Sequence, residues 1–315
     1  MSRTDAAFEV LVPSLGERIR RNVPLGTRTT YGVGGVAGLF VEARDVDDLL
    51  AVGRAHVATG CPVFVVGRGS NTLVADDGFA GIALSIDALD AVQLYPTRVT
   101  AGGGVLLPVL ARSTAKRGLT GLEWAVGIPG TVGGGVRMNA GGHGSDIASC
   151  LESAQIVDLV DARLCSVEVG HLGLRFRGSA LHDRHVVVSA TFRVARGDQA
   201  GAEAELREVV RWRRENQPGG HNAGSVFVNP IPGQLSAGQV IDEIGLRGFR
   251  VGTAEVSAKH ANFIQADEGG SAADVFALMN HVRERVLAER GIALRSENRL
   301  LGFGPVDWAG EGFGD

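Results

Sequence analysis

One hydroxyl group, that of Ser225, lies in the stretch HNAGSVFVNP (221–230), between a run of small residues and a short apolar segment that ends at a proline. A serine beside a glycine is a candidate nucleophile. Its neighbours, however, do not form the Gly-x-Ser-x-Gly sequence that exposes a nucleophilic serine on a sharp turn between strand and helix. The stretch by itself therefore does not assign Ser225 a reaction.

Two glycine-rich segments have the composition of an anion-binding site. The first is GRGSNTLV (67–74), in which Gly67, Gly69, Ser70 and Asn71 follow a predicted buried strand. Successive backbone N–H groups and a short hydroxyl can surround a phosphate. The segment matches neither Gly-x-Gly-x-x-Gly nor the Walker A sequence, so an ordinary tight turn explains it equally well.

The second segment, GIPGTVGGGVRMNAGGHG (127–144), contains eight glycines and no acidic residue. Backbone donors in such a segment could approach an anion unopposed. Together the two segments would suit a long cofactor, with a pyrophosphate at one and a ring system against the other. The alternative is a packed loop with many turns. Because glycine recurs too often for a regular helix or strand, we expect an ordered, irregular loop over 122–146.

Two charged residues could act on a carboxylate. Arg177, in FRGS, offers a planar fork of donors that matches a carboxylate, although most such arginines form surface ion pairs. Glu297, in SENR, could simply pair with Arg299 or with another surface cation. The eight histidines show no metal-binding spacing such as His-Glu-x-x-His, so we predict no metal site.

Length and composition restrict the class of protein. A chain of 315 residues, 44% hydrophobic and 21% charged, predicts a compact protein of about two domains. The net charge of −4 argues against broad nucleic-acid binding. The three cysteines have no Cys-x-x-Cys spacing, which indicates reduced thiols and no disulfide framework. No apolar run reaches the length of a signal peptide or membrane span, so we expect a cytoplasmic location and no membrane partner.

The hydrophobic pattern predicts an α+β chain of two domains. We expect a loosely held lead-in (1–20), a first domain (21–195), a second domain (196–302) and a frayed tail (303–315). The boundary precedes a charged helix that ends before Pro218. In the first domain we predict strands at 38–43, 62–67, 154–160, 164–169 and 185–194, the last three antiparallel, and a helix at 45–60. In the second we predict helices at 237–246 and 271–291 and strands at 261–266 and 298–303.

Seven segments match a known family as a set: TRTTYGVGG, GRGSNTLVADDGF, LEWAVGIPGTVGGGVRMNAGGHG, LRFRGS, NAGSVFVNP, AEVSAKHANFI and RSENRLLG. In this order and spacing they closely resemble the UDP-N-acetylenolpyruvoylglucosamine reductases, flavoenzymes of bacterial cell-wall synthesis. The resemblance implies an FAD-binding module of the vanillyl-alcohol-oxidase type, followed by a smaller α/β substrate-binding domain. It also implies non-covalent FAD, NADPH as co-substrate, a small-molecule UDP-sugar substrate, and a monomer or weak oligomer.

The resemblance implies roles for individual residues. Arg177 and Glu297 would stabilise negative charge on the substrate carboxylate, and Ser225 would donate a proton to the carbanion. Asn229 and Lys259 would line the sugar-nucleotide pocket. The residues expected to bind FAD are Gly67, Gly69, Ser70, Asn71, Gly127, Ile128, Gly130, Thr131, Gly134 and Asn139.

Several positions depart from the family pattern. Val228 stands where many relatives carry lysine, and Lys259 or Arg250 could compensate for the lost cation. Asn298 and Ser296 stand where relatives often show an apolar residue and a proline.

Arg137 stands where an aromatic residue is common, and the chain lacks a tyrosine-bearing insertion after residue 180, as in the shorter subclass of the family. Two alternatives stay open. One is a flavin oxidase of the wider vanillyl-alcohol-oxidase family, although GRGSN lacks the histidine or cysteine that often tethers the flavin there. The other is a flavin-binding homologue without turnover.

Overall fold

The structure is a computed structural model that describes residues 1–304 and 306–308. Within these residues the chain forms eight α-helices and eighteen strands. The helices are α1 (Arg3–Leu15), α2 (Val46–Thr59), α3 (Leu107–Ala115), α4 (Val132–Met138), α5 (Ile147–Cys150), α6 (Gln199–Asn216), α7 (Ala237–Glu243) and α8 (Ala272–Arg290). The strands are β1 (Ile19–Pro24), β2 (Val36–Glu42), β3 (Val63–Val66), β4 (Thr72–Val74), β5 (Phe79–Ser85), β6 (Val92–Leu94), β7 (Arg98–Gly102), β8 (Leu119–Thr120), β9 (Gly141–Gly142), β10 (Ser145–Asp146), β11 (Leu151–Asp158), β12 (Arg163–Glu168), β13 (His185–Arg193), β14 (Ala195–Arg196), β15 (Arg250–Val251), β16 (Ala254–Val256), β17 (Ile264–Ala266) and β18 (Arg299–Leu301).

The chain divides into two compact units that are not contiguous in sequence. Unit 1 comprises Met1–Asn22, Gly38–Gly67 and Ala80–Arg213, and unit 2 comprises Val23–Ala37, Arg68–Phe79 and the described residues from Arg214 onward.

This division differs from the predicted boundary near residue 196, and side-chain packing explains the difference. Ala202, Leu206 and Val209 of α6 pack into the core of unit 1. The segment 68–79 belongs to unit 2, where the Asp76 carboxylate accepts hydrogen bonds of 2.9 Å from the N–H groups of Ala272 and Ala273 at the start of α8.

The first sheet of unit 1 has the strand order β1-β2-β5-β3, with β3 and β5 parallel. Helices α1 and α2 pack together beside it, and Leu11, Leu39, Leu49 and Leu84 share one core cluster. The predicted helix at 45–60 is confirmed as α2. The prediction of a loosely held lead-in is wrong, because α1 begins with a capping box at Ser2 and buries one face in this core.

The second sheet of unit 1 has the order β12-β11-β13-β7-β6 and is antiparallel throughout, which confirms the predicted pairing. Its core face packs against α4. The expected irregular loop over 122–146 contains this helix, so that prediction is wrong in part. A Cβ at Gly133 would lie 3.1 Å from Gly103 O, and a Cβ at Gly135 would lie 3.1 Å from Leu107 Cδ1. These glycines let α4 pack closely enough to offset their cost of about 1 kcal/mol each in a helix.

Unit 2 is built around the antiparallel sheet β15-β16-β17, which α8 covers, and the parallel pair β18-β4. Both predicted helices and both predicted strands are present. Within the predicted tail, Trp308 is buried and stacks on Phe276 with 5.7 Å between ring centroids, so the expectation of a frayed end is wrong at this residue. Pro305 and residues 309–315 lie outside the described residues.

Two further features concern the helices and the cysteines. No helix in the described part of the chain is long and apolar enough to cross a membrane. The thiols of Cys61, Cys150 and Cys165 are free, and burial raises the pKa of Cys150 to about 12.

Candidate functional site

The two glycine segments are predicted to share one ligand. Gly67, the first residue of the first segment, lies in unit 1 against Thr131 of the second segment, whereas residues 68–74 belong to unit 2. A Cβ built on Gly67, at the end of β3, would lie 2.9 Å from Thr131 Oγ1 and 3.1 Å from Thr131 Cγ2. No side chain other than hydrogen fits at position 67 without displacing Thr131. A glycine here therefore lets the backbone of residue 67 lie directly against the Thr131 side chain.

The amide groups at the start of α4 are already used. Val132 N donates to Val105 O at 2.8 Å, Gly133 N donates to Gly103 O at 2.8 Å, and Gly134 N donates to the N-cap Thr131 Oγ1 at 3.3 Å. The idea that this segment offers many open backbone donors is therefore wrong at these positions. Gly134 keeps open space on its Cβ side, where Thr131 Oγ1 at 3.5 Å is the nearest atom.

The other predicted ligand contacts in this segment are also internal. Ile128 N donates to Ala125 O, and Gly130 N donates to Ile128 O at 2.9 Å. A Cβ at Gly127 would lie 3.0 Å from His143 Nε2, so this glycine serves close packing.

Asn139 ends α4 in the left-handed conformation with φ of 42°. Its side-chain Nδ2 donates to Arg175 O at 3.0 Å and Asp146 Oδ2 at 3.2 Å, while its Oδ1 accepts from Ala148 N at 2.9 Å. The side chain is therefore committed to the fold, whereas the sequence predicted a cofactor contact.

The turn after β3 keeps its amide donors. Gly69 has φ of 57°, its carbonyl accepts from Thr30 N at 3.3 Å, and the carbonyl of Asn71 accepts from Arg299 N at 2.8 Å. Among the described residues, no hydrogen bond is donated by the backbone N–H groups of residues 68–71. A turn that has two of its carbonyls hydrogen-bonded and its amides open fits the phosphate of a cofactor such as FAD.

The side chain of Asn71 serves a second purpose in unit 2. Its Nδ2 donates to Glu297 O at 3.0 Å, and its Oδ1 accepts from Asn298 Nδ2 at 2.9 Å. The predicted cofactor residue thus links its turn to the segment that carries the predicted acid.

Ser225 and Glu297 are brought together through their backbones. Glu297 N donates to Val226 O at 2.7 Å, and Val228 N donates to Arg295 O at 3.0 Å. The segments 223–228 and 295–298 therefore run side by side and carry the predicted proton donor and the predicted carboxyl group in one framework.

A third segment holds this pair of segments. Asn262 is 3% exposed, and its side chain forms a two-way bond with Phe227, accepting from Phe227 N at 3.0 Å and donating to Phe227 O at 2.8 Å. Val226 N donates to the Asn262 carbonyl at 2.8 Å. The motif AEVSAKHANFI includes Asn262, but nothing in its sequence indicates that this side chain binds the backbone of Phe227.

Asn298 is the other residue that sequence reasoning missed. It is 1% exposed, and its Nδ2 faces Asn71 Oδ1 and the carbonyls of Ala223 and Ser225, both at 3.1 Å. Its Oδ1 accepts from the Tyr31 hydroxyl at 3.1 Å. Burial raises the pKa of Tyr31, which keeps this hydroxyl protonated as a donor. One buried side chain thus connects four of the motifs.

Arg177 lies in unit 1, in a tight turn closed by hydrogen bonds between Arg175 and Gly178. Its backbone is left-handed, with φ of 56°, and its guanidinium lies 5.1 Å from the centroid of the Phe176 ring. A left-handed residue other than glycine costs roughly 1 kcal/mol or more and is often found at functional sites.

The predicted substrate contacts have partners in unit 2. Asn229 Oδ1 accepts from Ala237 N at 3.1 Å, and Lys259 Nζ donates to Arg214 O at 2.5 Å. Arg250 pairs with Glu255 and Asp267, so the suggestion that it compensates for Val228 is not supported.

His260, next to Lys259 in the chain, favours its neutral form. Burial lowers the pKa of His260, the charge of Arg247 lowers it further, and its Nδ1 accepts from Asn262 N at 3.3 Å. No group of His, Cys, Asp and Glu residues within 1–304 and 306–308 could hold a metal ion.

Comparisons with known proteins agree with this two-part organisation. A family model described as an FAD binding domain matches residues 37–167, and one described as the C-terminal domain of UDP-N-acetylenolpyruvoylglucosamine reductase matches residues 216–301. The predicted fold class, an α+β chain with an FAD-binding domain followed by a C-terminal domain, is confirmed.

Two relatives and one solved structure cover most of the chain. UDP-N-acetylenolpyruvoylglucosamine reductase of Heliobacterium modesticaldum is 42% identical over 292 residues, covering 91% of this chain and 92% of its own. That of Halalkalibacterium halodurans is 38% identical over 303 residues, covering 94% and 99%. The crystal structure of UDP-N-acetylenolpyruvylglucosamine reductase from Thermus caldophilus matches with a TM-score of 0.78 and 33% identity, covering 90% of this chain and 99% of that chain.

Proposed function

Because the chain belongs to the UDP-N-acetylenolpyruvoylglucosamine reductase family, we propose that it reduces the enolpyruvyl group of UDP-N-acetylglucosamine enolpyruvate to give UDP-N-acetylmuramate. Membership of the family makes it an oxidoreductase with an FAD-binding domain. NADPH as the reductant, the non-covalent state of FAD and the residue roles below belong to the proposal.

The residues present fit the cofactor. In unit 2, the open amides of residues 68–71 suit its phosphates. In unit 1, the backbone of Gly67 lies against the Thr131 side chain, and the open side of Gly134 leaves room beside α4. When bound, FAD would take hydride from NADPH and deliver it to the enolpyruvyl double bond.

The chain's own residues then handle charge and protons. Hydride addition to a double bond conjugated with a carboxylate builds negative charge on that carboxylate. Arg177 stabilises this charge as a fixed cation, and Glu297 does so as a carboxylic acid that donates a hydrogen bond. The Ser225 hydroxyl gives its proton to the carbanion, so it acts as a general acid and not as a nucleophile.

The observation that carries these roles is the backbone pairing of the Ser225 and Glu297 segments, with Glu297 N donating to Val226 O at 2.7 Å. A proton donor and a charge-stabilising group for one substrate must be fixed relative to each other. Asn229 and Lys259 are proposed to bind the substrate, although in this structure their side chains contact Ala237 N and Arg214 O.

We also propose that the protein acts in the cytoplasm in peptidoglycan synthesis, as a monomer or weak oligomer, on a small-molecule UDP-sugar, without a nucleic-acid or membrane partner. The absence of a spanning helix in the described residues and the net charge of −4 are compatible with this setting.

The decisive experiment is substrate-driven NADPH oxidation. The purified protein should be yellow and release FAD on denaturation, because nothing in GRGSN forms a covalent link. It should oxidise one NADPH for each UDP-N-acetylglucosamine enolpyruvate added, with UDP-N-acetylmuramate identified by mass. A flavin-loaded protein that reduces oxygen but leaves this substrate unchanged would instead support the flavin-oxidase alternative.

A further inference from the structure

We infer that Asn298 is a positioning residue for the proposed reaction, because its buried side-chain amide fixes the main chain that carries Ser225 and Glu297. The inference rests on the proposed function, which assigns proton donation to the first of these residues and charge stabilisation to the second. It adds a residue to which no role in the reaction has been assigned above.

The geometry gives Asn298 four polar contacts. Its Nδ2 lies 2.9 Å from Asn71 Oδ1 and 3.1 Å from the carbonyl oxygens of Ala223 and Ser225, and its Oδ1 lies 3.1 Å from the Tyr31 hydroxyl. An amide nitrogen has two hydrogens, so one of them is shared between acceptors. The three oxygens around Nδ2 fix the orientation of the amide, since a flipped Oδ1 would face acceptors only.

Burial makes these contacts hard to replace. Asn298 is 1% exposed and Tyr31 is fully buried, so water does not reach the amide to substitute for a lost partner. A buried network that loses one member leaves the remaining polar groups unsatisfied, which favours a rearrangement of the backbone. The groups that would move first are the carbonyls of Ala223 and Ser225.

The same network also fixes the Glu297 peptide. Glu297 O accepts from Asn71 Nδ2 at 3.0 Å, while Glu297 N donates to Val226 O at 2.7 Å. Asn298 therefore acts on Ser225 directly through its carbonyl and on Glu297 through Asn71. A displacement of about 1 Å in a positioned group can slow a reaction by roughly a hundredfold.

The test compares Asn298→Asp with Ser296→Ala in the FAD-loaded protein. The aspartate keeps the size of the side chain but removes the Nδ2 donor and places a carboxylate against three oxygens. Ser296→Ala removes one buried hydrogen bond, from Ser296 Oγ to Asn298 O at 2.8 Å, and leaves the Asn298 amide untouched. It is thus a control for destabilisation of the same segment, and melting temperatures measure how well the two variants match.

Each half-reaction is followed by flavin absorbance in rapid mixing. We expect Asn298→Asp to slow reoxidation by UDP-N-acetylglucosamine enolpyruvate by roughly 10- to 100-fold, with reduction by NADPH changed less than about twofold. Hydrogen exchange should accelerate in the peptide that covers 223–228. Ser296→Ala should show neither the selective slowing nor the accelerated exchange.

Equal slowing of both half-reactions, an unchanged rate, or the same selective slowing in Ser296→Ala would overturn the inference. If Asn298→Asp does not fold, Tyr31→Phe removes one donor to the network and should slow the same half-reaction by a smaller factor; unchanged reoxidation there overturns the inference as well. If the native protein binds FAD but does not act on the substrate, the proposed function fails. The exchange comparison between the two variants then decides the positioning role alone.

Discussion

The glycine segments and the Ser225–Glu297 segments serve the same proposed reaction but are built by opposite means. At the glycine segments, the absence of a side chain lets neighbouring segments approach closely, as where the backbone of Gly67 lies against the Thr131 side chain. At the second region, buried amide side chains, those of Asn262 and Asn298, tie irregular backbones together. Irregular backbone can therefore be held rigid either by removing atoms or by adding exact donors and acceptors, and the two solutions respond differently to mutation.

The largest expected effect belongs to the amide-bonded region. Ser225→Ala removes the proposed proton donor and breaks no side-chain hydrogen bond among the described residues, so the fold should be unchanged. Reoxidation of the flavin by UDP-N-acetylglucosamine enolpyruvate should slow by roughly 10²- to 10⁴-fold, since that is the usual contribution of a positioned acid.

Reduction of the flavin by NADPH is the internal control in this experiment and should stay near the native rate. Ser225→Cys, which restores a proton donor, should recover part of the lost rate. Equal losses in both half-reactions would mean that Ser225 does not act as the acid.

The glycine region should respond in cofactor binding and stability. Gly67→Ala places a Cβ 2.9 Å from Thr131 Oγ1 and forces the two segments apart. We expect a loss of about 1–3 kcal/mol in the free energy of unfolding, as for other overpacked sites, and weaker FAD binding measured by fluorescence titration.

Gly134→Ala is the matched control for steric overpacking, because the nearest atom to its Cβ would be 3.5 Å away and the residue lies within α4. Alanine there should stabilise the free protein by up to about 1 kcal/mol through helix propensity. If FAD lies against this face, its affinity should nevertheless fall. Unaltered FAD affinity in both variants would remove these glycines from the cofactor site.

The smallest effect is a pH dependence at the amide-bonded region. Burial lowers the pKa of folded His260, so the unfolded chain binds more protons once the pH falls below the ordinary histidine value of about 6.5. The contribution of neutral His260 to the free energy of unfolding is therefore complete above about pH 6.5. It is lost as the pH falls from that value toward the lower pKa of His260 in the folded state. Denaturant unfolding of the native protein and of His260→Gln can be measured at about pH 7.5 and at roughly pH 5.5. The free energy of unfolding should fall less between these two pH values in the variant than in the native protein. An identical slope would assign the pH dependence to other groups.

The same contrast explains which parts of the site were predictable. Glycine clusters are local in sequence, and so are the helix signals of α2 and α8, with Asp45 and Ser271 at their starts and Gly60 and Gly291 at their ends. The two predicted helices are confirmed, and the cofactor role of the glycine clusters stays a prediction. The pattern could not show that three glycines would form α4, because the compensating contacts come from Gly103 and Leu107 on another element.

The amide network was unpredictable for a related reason. Asn298 is recognisable from the sequence as a departure from the family pattern, but its partners at Tyr31, Asn71 and Ser225 lie far away along the chain. A polar residue at a position often apolar in relatives indicates a buried hydrogen bond only once the fold brings an acceptor to it. The segments that supply two of these partners, 23–37 and 68–79, belong to unit 2 although they precede most of unit 1 in sequence.

This arrangement has a consequence for how the protein is made. The bond from Tyr31 to Asn298 spans 267 positions, and Trp308 completes the aromatic cluster of the same unit. Unit 2 therefore lacks essential core contacts until nearly the whole polypeptide has left the ribosome, whereas all residues of unit 1 precede Arg214. Such long-range closure slows folding and leaves apolar surface exposed in unfinished chains. Translation runs from one end of the chain to the other, but unit 2 is formed by residues from near both ends. A prematurely terminated chain would therefore contain all residues of unit 1 and a Tyr31 segment without its Asn298 partner.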